Sequence, residues 1–153
     1  MAALHQALRR DCLLVGRFRL CHLLLMKDAS YPWCILVPDR EDISEIHQLR
    51  KADQLQLIRE SSILAAAMEK EFRADKINIA ALGNIVAQLH IHHVVRYRDD
   101  KTWPAPVWGA GKAKPYTEKT LQAAVDKLRE GLGDAVRFFN QPEKKAARRP
   151  PKN

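Results

Sequence analysis

The chain has 153 residues and a net charge of +8, with 46% hydrophobic and 29% charged residues. That balance suits one globular domain, is too apolar for a disordered chain, and is too short for a TIM barrel, which needs roughly 200 residues or more. Half of the net charge sits in residues 141–153, where Lys144, Lys145, Arg148, Arg149 and Lys152 face Glu143 alone. The body of the chain is therefore only weakly basic, and contact with nucleic acid is an expectation for the basic tail alone. Cys12, Cys21 and Cys34 are odd in number and contain no CxxC pair, which argues against a disulfide framework or a Cys-rich zinc site. The apolar run from Leu20 to Met26 is too short to span a membrane and is broken by His22. With no clean signal-peptide core, the reading is a cytoplasmic protein with no membrane partner.

Residues 2–10 predict a short helix with Leu4 and Leu8 on one face. Phe18–Met26 and Trp33–Val37 are apolar runs of strand length, and the Asp, Ser and Pro of the intervening segment favour a turn. They predict two antiparallel strands. Asp42 with Glu45 three residues on reads as a capping box for a short helix ending near Leu49, and Asp53 as the cap of the next. In that helix, predicted over 54–72, Leu55, Ile58, Ser62, Ala65, Met68 and Phe72 recur at steps of three and four and predict the buried face. Residues 76–82 and 88–97 predict strands on either side of a turn at Gly83-Asn84. Three prolines and two glycines between 99 and 116 predict a long irregular loop. Thr117 caps a last helix, predicted over 118–139, whose apolar stripe runs from Leu121 to Phe139 and whose middle Gly131 and Gly133 weaken. No internal repeat is present. The fold class is α+β, an antiparallel sheet of about five strands with helices on one face. One domain spans 1–140, followed by a basic disordered tail, 141–153.

The informative segment is Gln88-Leu-His90-Ile-His92-His93-Val-Val95. Strand side chains alternate faces, so Gln88, His90 and His92 share one face, while His93 falls on the opposite, apolar face and reads as a core histidine. Polar groups in a row on an otherwise apolar strand need partners and point to a pocket. Three readings stand on the residues alone: a solvated sheet face, a metal site using the HxH pair, or a nucleophilic imidazole working on phosphorus. Imidazole is an available nucleophile near neutral pH, and phosphoryl transfer asks mainly for positioning and charge stabilisation.

The run from Asn78 through Gly83 to Gln88-Leu-His90-Ile-His92 resembles the signature of the histidine triad (HIT) superfamily, His-φ-His-φ-His-φ-φ with φ apolar, preceded by a Gly-containing phosphate loop. The resemblance covers residues 12–110. Gln88 stands where the family has its first histidine, which is similar to a bacterial branch of the superfamily. The resemblance implies a nucleotide phosphohydrolase or nucleotidyl transferase in which His90 attacks the α-phosphate to give a nucleotidyl-histidine, and His92 contacts the phosphate. Gln88 faces the same group but donates only through its amide and cannot protonate a leaving group. Dinucleoside polyphosphates and nucleoside phosphoramidates are the implied substrates. The same comparison puts Asp28 on the ribose, Gly83, Asn84 and Ile85 in the phosphate loop, Asn78 near the phosphates, and Trp103 or Trp108 close to the site, with Trp103 the chosen ligand contact. It implies a homodimer and no cofactor. A non-catalytic nucleotide-binding or sensor protein is the alternative that Gln88 raises.

Overall fold

The computed structural model describes residues 2–139. The basic segment 141–153 lies outside the described residues, and with it the expectations of a disordered tail and of tail contact with nucleic acid. The chain order is helix α1 (Gln6–Asp11), strands β1 (Cys12–Arg17), β2 (Cys21–Met26) and β3 (Trp33–Pro38), a 3-10 turn (Ile46–Gln48), helix α2 (Lys51–Phe72), strands β4 (Lys76–Ala80) and β5 (Ile91–Arg96), helix α3 (Glu118–Leu132), and strand β6 (Arg137–Phe138). The strands form one antiparallel sheet in the order β4-β5-β3-β2-β1-β6. The architecture is the expected α+β one, with six strands rather than about five. Strand β1 was not among the predicted elements; it is short, bulged between Leu14 and Gly16, and pairs β2 on one side and β6 on the other.

The sheet separates two apolar layers. On one face, Cys21, Leu23, Leu25, Leu36, Ile91 and Val95 pack against α2 and α3. On the other, Leu24, Ile35, Val37 and Val94 pack under Leu8 of α1 and under Val86 and Val107 from the loops. So α1 lies on the face opposite the two long helices. Helix α3 closes on α2 at Gly131, where a β-carbon would stand 2.7 Å from Glu71 Cγ and 3.1 Å from Ala67 Cβ. Its glycine thus permits packing, while Gly133, at φ +49°, ends the helix. The helix stops at Leu132 instead of running to 139, and the chain then turns into β6. Thr117 caps α3 as expected, accepting the Thr120 amide at 3.1 Å.

Two predicted caps are corrected. Asp42 adopts a positive φ of 56° and caps nothing; the box is made by Glu45 and Gln48 around the 3-10 turn. Helix α2 begins at Lys51, so Asp53 lies in its first turn, where its carboxylate accepts Arg40 Nε at 2.8 Å and Nη2 at 3.0 Å and complements the helix dipole.

The buried face of α2 is also rotated from the predicted one. Met68 and Phe72 are buried as expected, but Leu55 and Ile58 are 63% and 61% exposed and Ser62 is exposed. In their place the helix buries Leu57, Glu60, Ser61 and Leu64. The reason is hydrogen bonding. The Glu60 carboxylate accepts the amides of Leu20 at 3.0 Å and Cys21 at 2.8 Å, where β2 begins and no sheet partner serves those groups, and Gln56 Nε2 donates to it at 2.6 Å. Ser61 bonds the buried ring of His93. Polar residues with fixed partners outcompete exposed leucines for the core side. Replacing Glu60 by Ala strands two buried amides and should cost about 2–4 kcal/mol in urea unfolding. Ile58→Ala, on the face that periodicity alone would bury, should stay within about 0.5 kcal/mol. The reverse ranking would restore the periodicity-based face.

Candidate active site

Strand β5 lies between β3 and β4, with Ile35 and Ala80 paired to His92 and Cys34 and Ile79 paired to His93. All six of its residues are buried. The alternation expected of a strand holds: His92 and Val94 face the α1 side, Ile91, His93 and Val95 the α2 side. His93 is a satisfied core histidine. Its Nδ1–H donates to the Ile91 carbonyl at 3.1 Å, so Nε2 accepts the Ser61 hydroxyl at 2.7 Å, and burial pushes its pKa down to about 4.

His90 and His92 meet with ring centroids 5.0 Å apart at the wall of a cavity of about 460 Å³. The two rings are held in opposite tautomeric senses. The Gln88 backbone carbonyl lies 2.7 Å from His90 Nδ1. A carbonyl only accepts, so Nδ1 carries the proton and the lone pair of the neutral ring is at Nε2. Trp33 Nε1–H donates to His92 Nδ1 at 3.0 Å. An indole only donates, so the proton of the neutral His92 ring sits on Nε2. Burial, with His90 and His93 adding to it, pushes His92 down to about 3 and keeps it uncharged. The site therefore presents one nitrogen lone pair and, beside it, one neutral N–H donor.

Gly83, Asn84 and Ile85 line the same cavity. Gly83 has φ +73°, a conformation that a side chain resists, and Ile85 is 94% exposed at the rim. Four other predicted contacts are placed elsewhere. The Gln88 side chain points away from the cavity: its Nε2 donates to the Ala3 carbonyl at 3.0 Å and its Oε1 accepts the His5 amide at 2.8 Å, so the amide clasps the N-terminal segment. Asp28 does not line the cavity. Its Oδ1 accepts the amides of Ser30 at 3.0 Å and Lys114 at 3.1 Å, pinning the far end of the 99–116 loop. Asn78 shares the histidine face, but its Oδ1 accepts Arg96 Nη1 at 2.9 Å. Trp103 lies against that same guanidinium, 5.7 Å from ring centroid to Cζ. The tryptophan that reaches the histidines is Trp108, 5.2 Å from the His92 ring and 5.8 Å from Trp33.

Three residues of the site were missed in the sequence: Trp33, Trp108 as the site tryptophan, and Arg96. Arg96 is buried and roots the loop that carries Trp108. It makes two bonds to Asp100, at 2.8 and 3.1 Å, and one to Thr102 at 3.3 Å. Burial works against the Asp100 carboxylate, but Arg96 and the amides of Tyr97 and Thr102 outweigh it and hold its pKa well below the ordinary range. Among the described residues, no three His, Cys, Asp or Glu side chains converge to hold a metal ion. All three cysteines are free and buried, and burial pushes the Cys12 thiol up to about 12. No described helix is long and apolar enough to cross a membrane.

Buried neutral rings give the fold a pH dependence. An unfolded histidine titrates near pH ~6.5, whereas His93 and His92 take up protons in the fold only near about 4 and about 3. Above the unfolded pKa neither state is protonated and these rings leave stability unchanged. As pH falls below it, the unfolded chain gains protons the fold refuses, and stability drops by about 1.4 kcal/mol per pH unit for each ring. His22, whose pKa burial also lowers, adds in the same direction. Urea unfolding should therefore show a clear loss between pH ~6.5 and ~5, above the range where carboxylates titrate. A flat profile there would contradict the neutral burial of these rings.

The sequence matches the HIT domain family over residues 8–99. A histidine triad protein from Marinobacter aquaeolei VT8 is similar at 47% identity, with 86% of this chain and 96% of that one covered and a TM-score of 0.84. Histidine triad proteins from Sinorhizobium meliloti 1021 and Bradyrhizobium japonicum follow at 45% and 40% identity, covering 85% and 84% of this chain and 96% of each of theirs, both with a TM-score of 0.83. No curated protein matches the sequence significantly. With the family matched across more than half the chain, and with His92 on β5 and His90 just before it bringing their rings together at one cavity, the protein belongs to the HIT family.

Proposed function

We propose that the protein is a nucleotide phosphohydrolase or nucleotidyl transferase working through His90. The observation that carries this reading is the 2.7 Å contact between His90 Nδ1 and the Gln88 carbonyl, which leaves a lone pair at Nε2 in a cavity beside the His92 N–H. Nε2 attacks the α-phosphorus of a bound nucleotide conjugate. The bond from phosphorus to the leaving oxygen or nitrogen breaks, and its electron pair leaves with that atom. The His92 Nε2–H donates to a phosphoryl oxygen as charge builds there. Water then cleaves the P–N bond of the nucleotidyl-histidine, releasing a nucleoside monophosphate and restoring the ring. The apolar walls, among them Leu8, Ile35 and Val86, accept the flat face of a base, and the loop at Gly83 brings backbone close to the phosphate. A dinucleoside polyphosphate or a nucleoside phosphoramidate has the required α-phosphate.

Because Gln88 is spent on the N-terminal segment, no side chain at the first triad position delivers a proton to the leaving group. Such help is worth about 10²–10⁴-fold, so conjugates with good leaving groups are the faster substrates. A second copy of the chain is the expected partner. Strand β4 is an edge, paired only with β5, and Ile79 and Leu82 stand exposed on and just beyond it. Light scattering that returned a single chain's mass at assay concentration would remove the dimer.

The test is turnover of adenosine and guanosine conjugates with graded leaving groups. Wild type should favour the good leaving groups, His90→Ala should abolish turnover, and His92→Ala should lower it about 10²–10³-fold, as expected for loss of a donor to developing charge. Full turnover by His90→Ala would overturn the assignment. Tight binding of AMP by wild type without turnover of any conjugate would leave a nucleotide sensor in place of an enzyme.

A further inference from the structure

We infer that the site selects guanine among the bases, with the Asp11 carboxylate accepting the N1–H and N2–H groups of the ring. This rests on the nucleotide reading above and names the base that the cavity prefers.

The cavity of about 460 Å³ has polar groups at two ends and an apolar floor between them. His90 and His92 stand at one end. Strands β5, β3, β2 and β1 are consecutive neighbours in the sheet. From the histidines to the start of β1 the cavity therefore crosses three interstrand steps, about 14 Å at ~4.8 Å per step. Ile35, Met26 and Cys12, one each from β3, β2 and β1, line it on the way. Side chains reaching inward from both ends shorten that span to the reach of a nucleoside monophosphate from phosphate to base edge. A phosphate against the histidines thus carries its base across the apolar floor to the end of α1.

Arg10 and Asp11 stand at that end. They are the only Lys, Arg, Asp or Glu residues lining the cavity among the described residues. On α1, Asp11 follows Ala7 by four residues and Leu8 by three, and both of those also line the cavity, so the three share the helix face that looks onto it. The Asp11 side chain is 48% exposed and open to a molecule that enters. Its oxygens accept Arg10 Nε at 2.8 Å and Nη2 at 3.0 Å, and this bonding holds its pKa below the usual carboxylate range. An ionised carboxylate has about four lone-pair sites, so roughly two remain for a ligand.

The identity of the base follows from that pair. The hydrogen-bonding edge of guanine carries two parallel donors, N1–H and N2–H, beside the O6 acceptor. The donors match the two oxygens of a carboxylate, and O6 suits the guanidinium next to it. Adenine in the same place offers a single amino group, and its N1 lone pair opposes a carboxylate oxygen.

The experiment is calorimetry on the full chain with GMP, IMP and AMP, which differ only in the base. Wild type should bind GMP about 10-fold more tightly than AMP, the lower part of the range for a bidentate base contact, because Asp11 is half exposed. IMP keeps N1–H and lacks the 2-amino group, so it should fall between them. Asp11→Asn keeps the size of the side chain but puts an N–H where an oxygen accepted, and the ratio of GMP to AMP affinity should fall to within about twofold of one. Equal binding of GMP and AMP by wild type, or tighter binding of AMP, would overturn the inference, and so would an Asp11→Asn protein that kept the wild-type ratio. The wild-type order is read without the variant, so its loss or reversal decides against the inference even if the variant does not fold. Failure of all three nucleotides to bind would overturn the inference together with the nucleotide reading, whereas equal binding of GMP and AMP overturns this inference alone.

Discussion

Burial of strand β5 on both faces is the constraint on which the rest depends. A strand in that position normally carries only apolar residues, yet this one holds His92, His93 and Arg96, and His90 immediately precedes it. Each polar group must be paired or neutralised where it lies. His93 is served by Ser61 from α2, which helps to set the rotation of that helix. Arg96 is served by Asp100, Asn78 and Thr102, which roots the long loop. His92 is served by Trp33 from β3. His90 is served by the carbonyl two residues behind it. The architecture around the site is in large part the set of partners that this strand requires.

The same pairings prepare the chemistry. His92 on β5 and His90 just before it bring their rings together, but their tautomers are set by neighbours: a carbonyl acceptor on one, an indole donor on the other. Had both Nδ1 atoms met carbonyls, the site would offer two lone pairs and no donor. The opposite pairing gives a nucleophilic nitrogen next to a neutral N–H, an arrangement suited to attack on phosphorus with stabilisation of the charge that develops. Because burial keeps His92 uncharged, its donation does not require a proton to be gained or lost over the neutral pH range.

How much of this was legible in the sequence depended on the range of the interactions. The alternation that puts His92 on one face and His93 on the other is local, and it holds within β5. So do the Thr117 cap and the loop after β5. The strand begins at Ile91 and not at Gln88, so His90 lies just before it and the Gln88 side chain is free to turn to Ala3 and His5. The buried face of α2 was not legible, because Glu60 and Ser61 are buried by bonds to β2 and β5, tens of residues away, that periodicity does not encode. Gln88 and Asp28 occupy positions that resemble family contacts, but their side chains are taken by Ala3, His5 and Lys114, more than eighty residues distant in the chain. Trp103 and Trp108 were indistinguishable by spacing. Arg96 settles the matter by holding the first beside its guanidinium, while the second continues to the histidines.

The central claim is that His90 Nε2 is the atom that bonds to phosphorus. The most direct measurement is to quench the wild-type protein at neutral or higher pH during incubation with an adenosine conjugate carrying a good leaving group, and to map any nucleotidyl adduct by peptide mass and by phosphorus–nitrogen coupling. The account predicts one adduct, on residue 90 and through Nε2. An adduct on His92 or through Nδ1, or steady turnover in which no covalent intermediate forms, would contradict it.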